Sequence, residues 1–333
     1  MLYLCTRFLC LLVFVMILNP NCKINLGLRV VRKRPDGYHD LETIFVPIYG
    51  LFDELEVVKA VSRQPSAISF QQEGIAVDCP EEDNLIIKCY RQMAAKYAQI
   101  GPVSIRFKKN IPFGAGLGGG SSDAAHMAIA LNELFGLGLT KEQLAKEVRS
   151  LGADCPFFIY NTPCYAEGIG DELTPIDLDL KGTRIIMIKP NEGVSTKEAY
   201  SGITRHPEVS GQIKSVFCQA KNEVNRALAA KKPVCILSGE NRKALIVPLG
   251  KEAGLLVNDF EASVFPKHPV IAEIKKRLLD AGAYYASMSG SGSTVFGFFK
   301  DDPEGGTDAR LTLLKEEFAS MILLDDTFSE WKA

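Results

Sequence analysis

The segment IPFGAGLGGGSSDAA, residues 111–125, constrains the fold more strongly than any other part of the chain. It holds five glycines and two serines and leads directly into a helix-forming stretch. Glycine lets a backbone take positive φ angles and approach a ligand closely, and successive N–H groups in such a loop form a concave anion site. Free N–H groups at the start of the following helix face the same anion. The segment therefore predicts a phosphate-binding loop between a strand and a helix.

This loop differs from two common phosphate loops. Its glycines satisfy the dinucleotide pattern G-x-G-x-x-G, but the strand before them is half polar and is followed by Pro112, whereas that pattern requires a buried apolar strand. The Walker A pattern needs a lysine after its last glycine, and the loop has none there. The remaining interpretation is that main-chain amides alone hold the anion. Ser121 and Ser122 can cap the helix or reach a phosphate or a Mg2+ ion, and both roles stay open at this point.

Length, charge and cysteine usage limit the kind of protein. The 333 residues exceed the size at which a single core usually stops growing, so we expect two domains. The net charge of -2 and the offsetting acidic residues argue against a nucleic-acid partner. The nine cysteines form no C-x-x-C pair, which is typical of a reducing compartment and predicts a cytoplasmic protein. Cys155 lies in an apolar run, and we interpret it as a buried thiol.

The start of the chain gives a conflicting signal. Arg7 precedes an apolar run over residues 8–18, which has the length of a signal-peptide core and on its own indicates export. The run is short for a membrane span, and no small-residue cleavage site follows it. Met16 opens a strand pattern that continues to residue 31. We therefore expect translation to begin at Met16, residues 1–15 to take no part in the fold, and no membrane partner.

Further along, the pattern alternates between strands and helices. A turn at PDG, residues 35–37, predicts a hairpin-like connection, and residues 82–100 show helical spacing. The helix after the glycine loop should start at Ser121 or Ser122 as N-cap and stop at Gly136. A second helix should begin with a capping box at Thr140 and Gln143 and end at Gly152. Residues 177–183 are the best linker, which gives an ATP-binding domain over 16–176 and a second domain over 177–333.

At this point the chain resembles the GHMP kinases, the family of galactokinase, homoserine kinase and mevalonate kinase. The loop at 111–125 is similar to the family's phosphate loop, and MSGSGSTVFG at 288–297 is similar to its third, glycine-rich motif. KINLGLRVVRKRPDGYHDLETIF at 23–45 and GADCPFF at 152–158 are similar to the members that phosphorylate the 2-hydroxyl of a cytidine-diphosphate-linked methylerythritol in non-mevalonate isoprenoid synthesis. The resemblance implies an α+β fold with an N-terminal ribosomal-protein-S5-like domain and a C-terminal ferredoxin-like domain.

The resemblance also implies roles for particular residues. Lys23 and Asp154 fall on the two catalytic positions of the family: the carboxylate would receive the proton of the substrate hydroxyl, and the ammonium would orient it. Mg2+ is expected to accompany ATP, but no acidic residue stands out as its ligand. The residues expected to bind ATP form the loop itself: Pro112, Phe113, Gly114, Ala115, Gly116, Leu117, Gly118, Gly119, Gly120, Ser121 and Ser122.

Four further residues are expected to bind the small-molecule substrate. Asn25 lies two residues beyond Lys23, hence on the same face of the strand. The resemblance assigns Tyr38 and His39 to the cytidine, by stacking and by hydrogen bonding, and places Thr196 near the substrate. The alternatives are a homoserine or mevalonate type of kinase and an exported, non-catalytic binding module of the same fold. We expect a monomer or a homodimer.

Overall fold

The computed structural model describes residues 15–60, 67–76, 79–203, 234–239, 243–248, 256–300 and 309–328. The predicted upstream extension, apart from Val15, lies outside these residues. The strands are β1 (Val15–Leu18), β2 (Asn21–Lys33), β3 (His39–Phe52), β4 (Glu54–Lys59), β5 (Ile68–Gly74), β6 (Val103–Lys109), β7 (Cys164–Glu167), β8 (Glu172–Pro175), β9 (Asp177–Asp179), β10 (Thr183–Ile188), β11 (Val234–Gly239), β12 (Lys243–Pro248), β13 (Tyr285–Met288), β14 (Val295–Lys300) and β15 (Ile322–Thr327). The helices are α1 (Leu85–Lys96), α2 (Gly119–Phe135), α3 (Lys141–Val148), α4 (Cys155–Tyr160), α5 (Thr196–Ser201), α6 (Phe260–Val264), α7 (Pro269–Asp280) and α8 (Ala309–Glu317).

The first half of the chain builds a sheet in the order β1-β4-β6-β5, covered by helices. Only β5 runs parallel to its neighbour; the other described pairs of this sheet are antiparallel. Side chains of β6 alternate between buried and less buried because one face of the strand packs on α1 and α2. The core between the sheet and the helices includes Tyr90, Met93, Phe107, Leu131 and Phe157.

A second antiparallel sheet, β2-β3-β7-β8, carries the candidate site residues Lys23 and Asn25 on β2 and His39 on β3. The long strands β2 and β3 form the predicted hairpin around the PDG turn. Their pairing passes from Leu26–Ile44 to Leu28–Thr43, so Gly27 is an extra residue in a β-bulge, and its φ of 66° suits glycine. Most of β2 is buried on both faces because this sheet packs against the sheet of the second half.

The second half forms an antiparallel sheet in the order β13-β14-β10-β15. Helices α5 to α8 pack on it through a core that includes Ile186, Phe260, Ile274 and Phe318. A three-stranded sheet, β12-β11-β9, contains β9, so the predicted linker at 177–183 is partly strand rather than a plain connection. The domain boundary between residues 176 and 177 falls between β8 and β9 and stays a prediction.

Helix ends follow local sequence chemistry, with two corrections to the predicted ends. The N-cap of α2 is Gly118 at φ 70°, so the prediction of Ser121 or Ser122 as N-cap is wrong. The glycine takes the left-handed conformation that turns the loop into the helix, and the serines therefore lie inside the first turn. Gly136 ends α2 as predicted. The capping box of Thr140 is present, but α3 ends at Val148, earlier than predicted, because a turn replaces its last residues.

Candidate active site

Every second residue of the glycine loop from 114 to 118 has a positive φ angle. Gly114, Gly116 and Gly118 have φ angles of 64°, 74° and 70°, a conformation that side-chain-bearing residues disfavour by about 1–2 kcal/mol each. The first N–H groups of any helix have no intrahelical partner, and in the described structure no side chain caps those of α2. Together with the positive end of the helix dipole, such N–H groups can bind an anion. This geometry is compatible with the predicted main-chain cradle, which stays a prediction.

The second half of the chain holds the loop in place. Ser289 Oγ donates a hydrogen bond to the carbonyl of Gly116 (2.9 Å), and the amide of Thr294 donates to the carbonyl of Ala115 (3.3 Å). A Cβ atom at Gly116 would lie 2.0 Å from the carbonyl oxygen of Ser289, so only glycine fits there. The glycine-rich motif at 288–297 therefore supports the glycine loop.

Lys23 and Asp154, which the sequence predicted as a pair, come together beside this loop. The buried Lys23 Nζ lies 3.5 Å from Asp154 Oδ2, donates to Asn25 Oδ1 at 2.6 Å and to the Gly116 carbonyl at 3.2 Å, and lies 5.0 Å from the centre of the Phe45 ring. Asp154 immediately precedes α4, yet within the described residues its carboxylate makes no capping hydrogen bond. With 32% of its side chain exposed, this carboxylate can be reached by a ligand.

A cavity of about 710 Å³ opens over these groups. Among the site residues predicted from the sequence, all of them described, Ser122 is the one that does not line it. Ser122 is fully buried, its Oγ 3.3 Å from His126 Nδ1. Burial lowers the pKa of His126, which fits a neutral, structural imidazole. The predicted residues lining the cavity are Lys23, Asn25, Tyr38, His39, Pro112, Phe113, Gly114, Ala115, Gly116, Leu117, Gly118, Gly119, Gly120, Ser121, Asp154 and Thr196.

A group of aromatic rings also lines the cavity. His39 stacks on Tyr200 with ring centres 4.4 Å apart, and Tyr200 meets Phe260 edge-on at 4.7 Å. Burial, with a smaller contribution from the charge of Asp154, raises the pKa of Tyr200 to about 12. Sequence reasoning missed Tyr200, although it lies four residues after Thr196 and both line the cavity from α5, a spacing that shares one helix face.

A buried ion network lies beneath the loop and was also missed. Lys109 Nζ contacts Asp53 Oδ2 at 2.5 Å and Asp123 Oδ2 at 2.8 Å, and Asp53 Oδ1 accepts from the amides of Asn110 and Ile111. Burial raises the pKa of Asp123 well above its usual range. Burial lowers the pKa of Lys109, but the two carboxylates outweigh it and the net shift is upward. The strand alternation in β6 already put Lys109 on the buried face.

Few of the described residues at the cavity could bind a metal ion, and the nearby thiol of Cys155 is not reactive. In the described ranges, no group of three or more His, Cys, Asp or Glu side chains could hold a metal ion. Ser121 and Asp154 line the cavity as oxygen donors, the ligand type that Mg2+ prefers when substrate phosphates complete its coordination. Burial raises the pKa of the Cys155 thiol to about 12, so it is not a thiolate nucleophile at neutral pH.

Comparison with known proteins defines the class. The family model "GHMP kinases N terminal domain" matches residues 84–162, and "GHMP kinases C terminal" matches residues 241–310. Both matches fit the α+β fold and the loop described above. These models define an ATP-dependent kinase of the GHMP class.

Individual relatives narrow the family further. A protein of Bacteroides thetaiotaomicron is 46% identical over 87% of this chain and 93% of its own length, and one of Parabacteroides distasonis is 45% identical over 86% and 92%. Both are named 4-diphosphocytidyl-2-C-methyl-D-erythritol kinase. The chain belongs to this family of GHMP kinases.

Solved structures agree with this assignment. A crystal structure of 4-(cytidine 5'-diphospho)-2C-methyl-D-erythritol kinase has a TM-score of 0.63 and 30% identity, covering 92% of this chain and 96% of its own. Homoserine kinase from Cytophaga hutchinsonii has a TM-score of 0.62 at 15% identity, covering 96% of this chain and 93% of its own, and shares the fold.

As for a membrane, the helices in the described part of the chain are all too short or too polar to cross one.

Proposed function

We propose that this protein transfers the γ-phosphoryl group of ATP to the 2-hydroxyl of 4-diphosphocytidyl-2-C-methyl-D-erythritol, giving the 2-phosphate and ADP. The reaction belongs to the non-mevalonate route to isoprenoid precursors and takes place in the cytoplasm. The observation that carries the proposal is the ion pair of Lys23 and Asp154 at 3.5 Å, directly beside the amide loop in one cavity. The names of the relatives support the choice of substrate.

Proton transfer is the task of Asp154. Its partly exposed carboxylate accepts the proton of the attacking hydroxyl, a contribution of about 10²- to 10⁴-fold in rate. The ammonium of Lys23 is fixed by Asn25, by the Gly116 carbonyl and by the Phe45 ring. It holds the carboxylate in position and stabilises negative charge on the attacking oxygen without any reorganisation of solvent.

The phosphates of ATP bind to the amides of the glycine loop and the first turn of α2. The hydroxyl of Ser121, which lines the cavity at the start of α2, would help to hold Mg2+. When bound, Mg2+ neutralises charge on the phosphate oxygens. Lys109 and its two carboxylate partners support the loop from below, because they join the strand before it to the helix after it.

The aromatic end of the cavity suits the cytosine ring. His39 and Tyr200 form a stacked pair, and Tyr38 is 61% exposed at the entrance, so its ring is available to a ligand. A pyrimidine offers a flat face to these rings and polar atoms at its edge, while the methylerythritol end reaches toward Asn25 and Thr196. Homoserine and mevalonate, the acceptors of the alternative kinases, carry no such ring.

An ADP-release assay with the three acceptor alcohols tests the proposal. We expect turnover with the cytidine-linked alcohol and none with homoserine or mevalonate. Asp154→Asn should lower turnover at least about 100-fold while the Kd of ATP changes less than about twofold. Asp325→Asn is the matched control, because it removes another ion-paired carboxylate, bound to Arg184 at 2.6 Å on the sheet of the second half. Turnover of Asp154→Asn close to that of the control would remove this carboxylate from the mechanism.

A further inference from the structure

A buried threonine lies behind the proposed catalytic lysine. Thr43, on β3, is fully buried and lies diagonally across the strand pair from Asn25, whose direct partner is Phe45. Residues at such positions share one face of a sheet, so Lys23, Asn25, Thr43 and Phe45 project to the same side. None of the sequence motifs gave Thr43 a role.

The donor and acceptor roles in the two hydrogen bonds of Thr43 can be assigned in only one way. Its Oγ1 donates to the carbonyl of Gly27 at 2.5 Å and accepts from Asn25 Nδ2 at 3.0 Å. A hydroxyl has a single proton and a carbonyl can only accept, so the proton of Thr43 is committed to Gly27. The β-bulge makes this contact available, because Gly27 is the residue left over in the pairing of β2 with β3.

This direction fixes the orientation of the Asn25 amide. Since Thr43 presents a lone pair, Asn25 must turn its NH₂ group toward it and its Oδ1 toward Lys23. Lys23 Nζ can only donate, so the opposite amide orientation would set two donors against each other. All three side chains are at least nine-tenths buried, so the loss of a hydrogen-bond partner is costly.

We propose that Thr43 is a positioning residue for phosphoryl transfer: through Asn25 it sets the orientation of the Lys23 ammonium relative to Asp154. The inference rests on the proposed function, since it assigns catalysis to Lys23 and Asp154. The relay runs from Lys23 to Asn25, from Asn25 to Thr43 and from Thr43 to the carbonyl of Gly27, and hydrogen bonds in such a chain strengthen one another.

The test replaces the hydroxyl and keeps the shape. We expect Thr43→Val to lower kcat about 10- to 100-fold, because an Asn25 amide that Thr43 no longer orients loses its hydrogen bond to the charged Lys23 ammonium. The Kd of a non-hydrolysable ATP analogue should change by less than about twofold, because Lys23 keeps its contact with the Gly116 carbonyl. Thr43→Ser should restore kcat to within about threefold of wild type, since serine keeps the same donor and acceptor.

Thr183→Val is the matched control. It removes another buried threonine hydroxyl, which accepts a hydrogen bond from Tyr284 in the second half of the chain, and should leave kcat unchanged.

If Thr43→Val does not fold, Thr43→Cys supplies a thiol that donates weakly, and its kcat should fall between those of the serine variant and an inactive protein. Equal loss in the serine and valine or cysteine variants would overturn the proposal, because shape rather than the hydroxyl would then matter.

A second readout separates the relay from the reaction. The side-chain amide ¹⁵N and ¹H resonances of Asn25 in the ligand-free protein should shift in Thr43→Val and stay near the wild-type position in Thr43→Ser. Unchanged resonances in the valine variant would refute the relay whatever the substrate is. If they shift as expected but the wild-type protein does not phosphorylate the cytidine-linked alcohol, the proposed substrate fails and the relay stands.

Discussion

Replacement of Gly116 by alanine tests how the phosphate loop is held. The new Cβ would lie 2.0 Å from the carbonyl oxygen of Ser289, whereas real Cβ atoms keep at least 3.0 Å, so loop and support must separate by about 1 Å. The residue also has a φ of 74°, which strains any side-chain-bearing residue. Gly138→Ala is a matched control, because its φ is 70° and a Cβ there would meet no atom within 4 Å.

The expected loss of stability in Gly116→Ala follows from these contacts. The positive φ costs about 1–2 kcal/mol in both variants and is partly offset by the lower entropy of the unfolded chain. In Gly116→Ala the separation also stretches the hydrogen bonds that the Gly116 carbonyl accepts from Ser289 Oγ (2.9 Å) and Lys23 Nζ (3.2 Å). A neutral bond contributes about 1 kcal/mol and one to a charged group about 1.5–3. We therefore expect Gly116→Ala to be less stable than Gly138→Ala by about 3 kcal/mol.

Urea unfolding of the ligand-free proteins measures this difference, and the ADP-release assay measures its effect on the reaction. A shift of about 1 Å in the groups that position the phosphates should lower turnover about 100-fold in Gly116→Ala, with little change in Gly138→Ala. If the two variants unfold at the same urea concentration and turn over equally, the contact between the loop and Ser289 does not hold the site together.

Three further predictions address other parts of the molecule. Lys109→Met should lower the free energy of unfolding by about 3–5 kcal/mol, because it leaves two buried carboxylates without their cation; a loss below about 1 kcal/mol in urea unfolding would contradict this. The hydrogen bond to Glu192 raises the pKa of His268 above its usual value, so its stabilising effect is complete below about pH 6.5 and is lost as the pH rises through the folded-state pKa. The stability difference between wild type and His268→Gln should therefore shrink from pH 6 to pH 9, and a difference independent of pH would refute it. Tyr200→Ala should raise KM for the cytidine substrate about tenfold, because base stacking is lost, and leave KM for ATP unchanged, whereas Tyr200→Phe should resemble wild type; equal changes in both KM values would argue against stacking.

The sequence predicted the parts of the site that depend on local chemistry. Glycine at 114, 116 and 118 could be read directly as a loop with positive φ angles. Lys23 and Asp154 were paired through the family resemblance, and their 3.5 Å separation is compatible with the roles predicted for them.

Contacts between distant segments could not be predicted from the sequence. Tyr200 meets His39 only because the second half of the chain folds over the first, and no local pattern encodes that contact. The N-cap of α2 was assigned to a serine because side-chain capping usually decides where a helix starts. Here a left-handed Gly118 starts the helix instead and leaves its first amides open, which is the better arrangement where an anion is to bind.

The supports of the glycine loop have a consequence for how the protein matures on the ribosome. The carbonyls of Ala115 and Gly116 receive their hydrogen bonds from Thr294 and Ser289, which are synthesised more than 170 residues later. A nascent chain that has exposed only its first half therefore has the glycines but not their partners. Affinity for nucleotide should be acquired late in translation, in one step, when the segment around Ser289 leaves the exit tunnel.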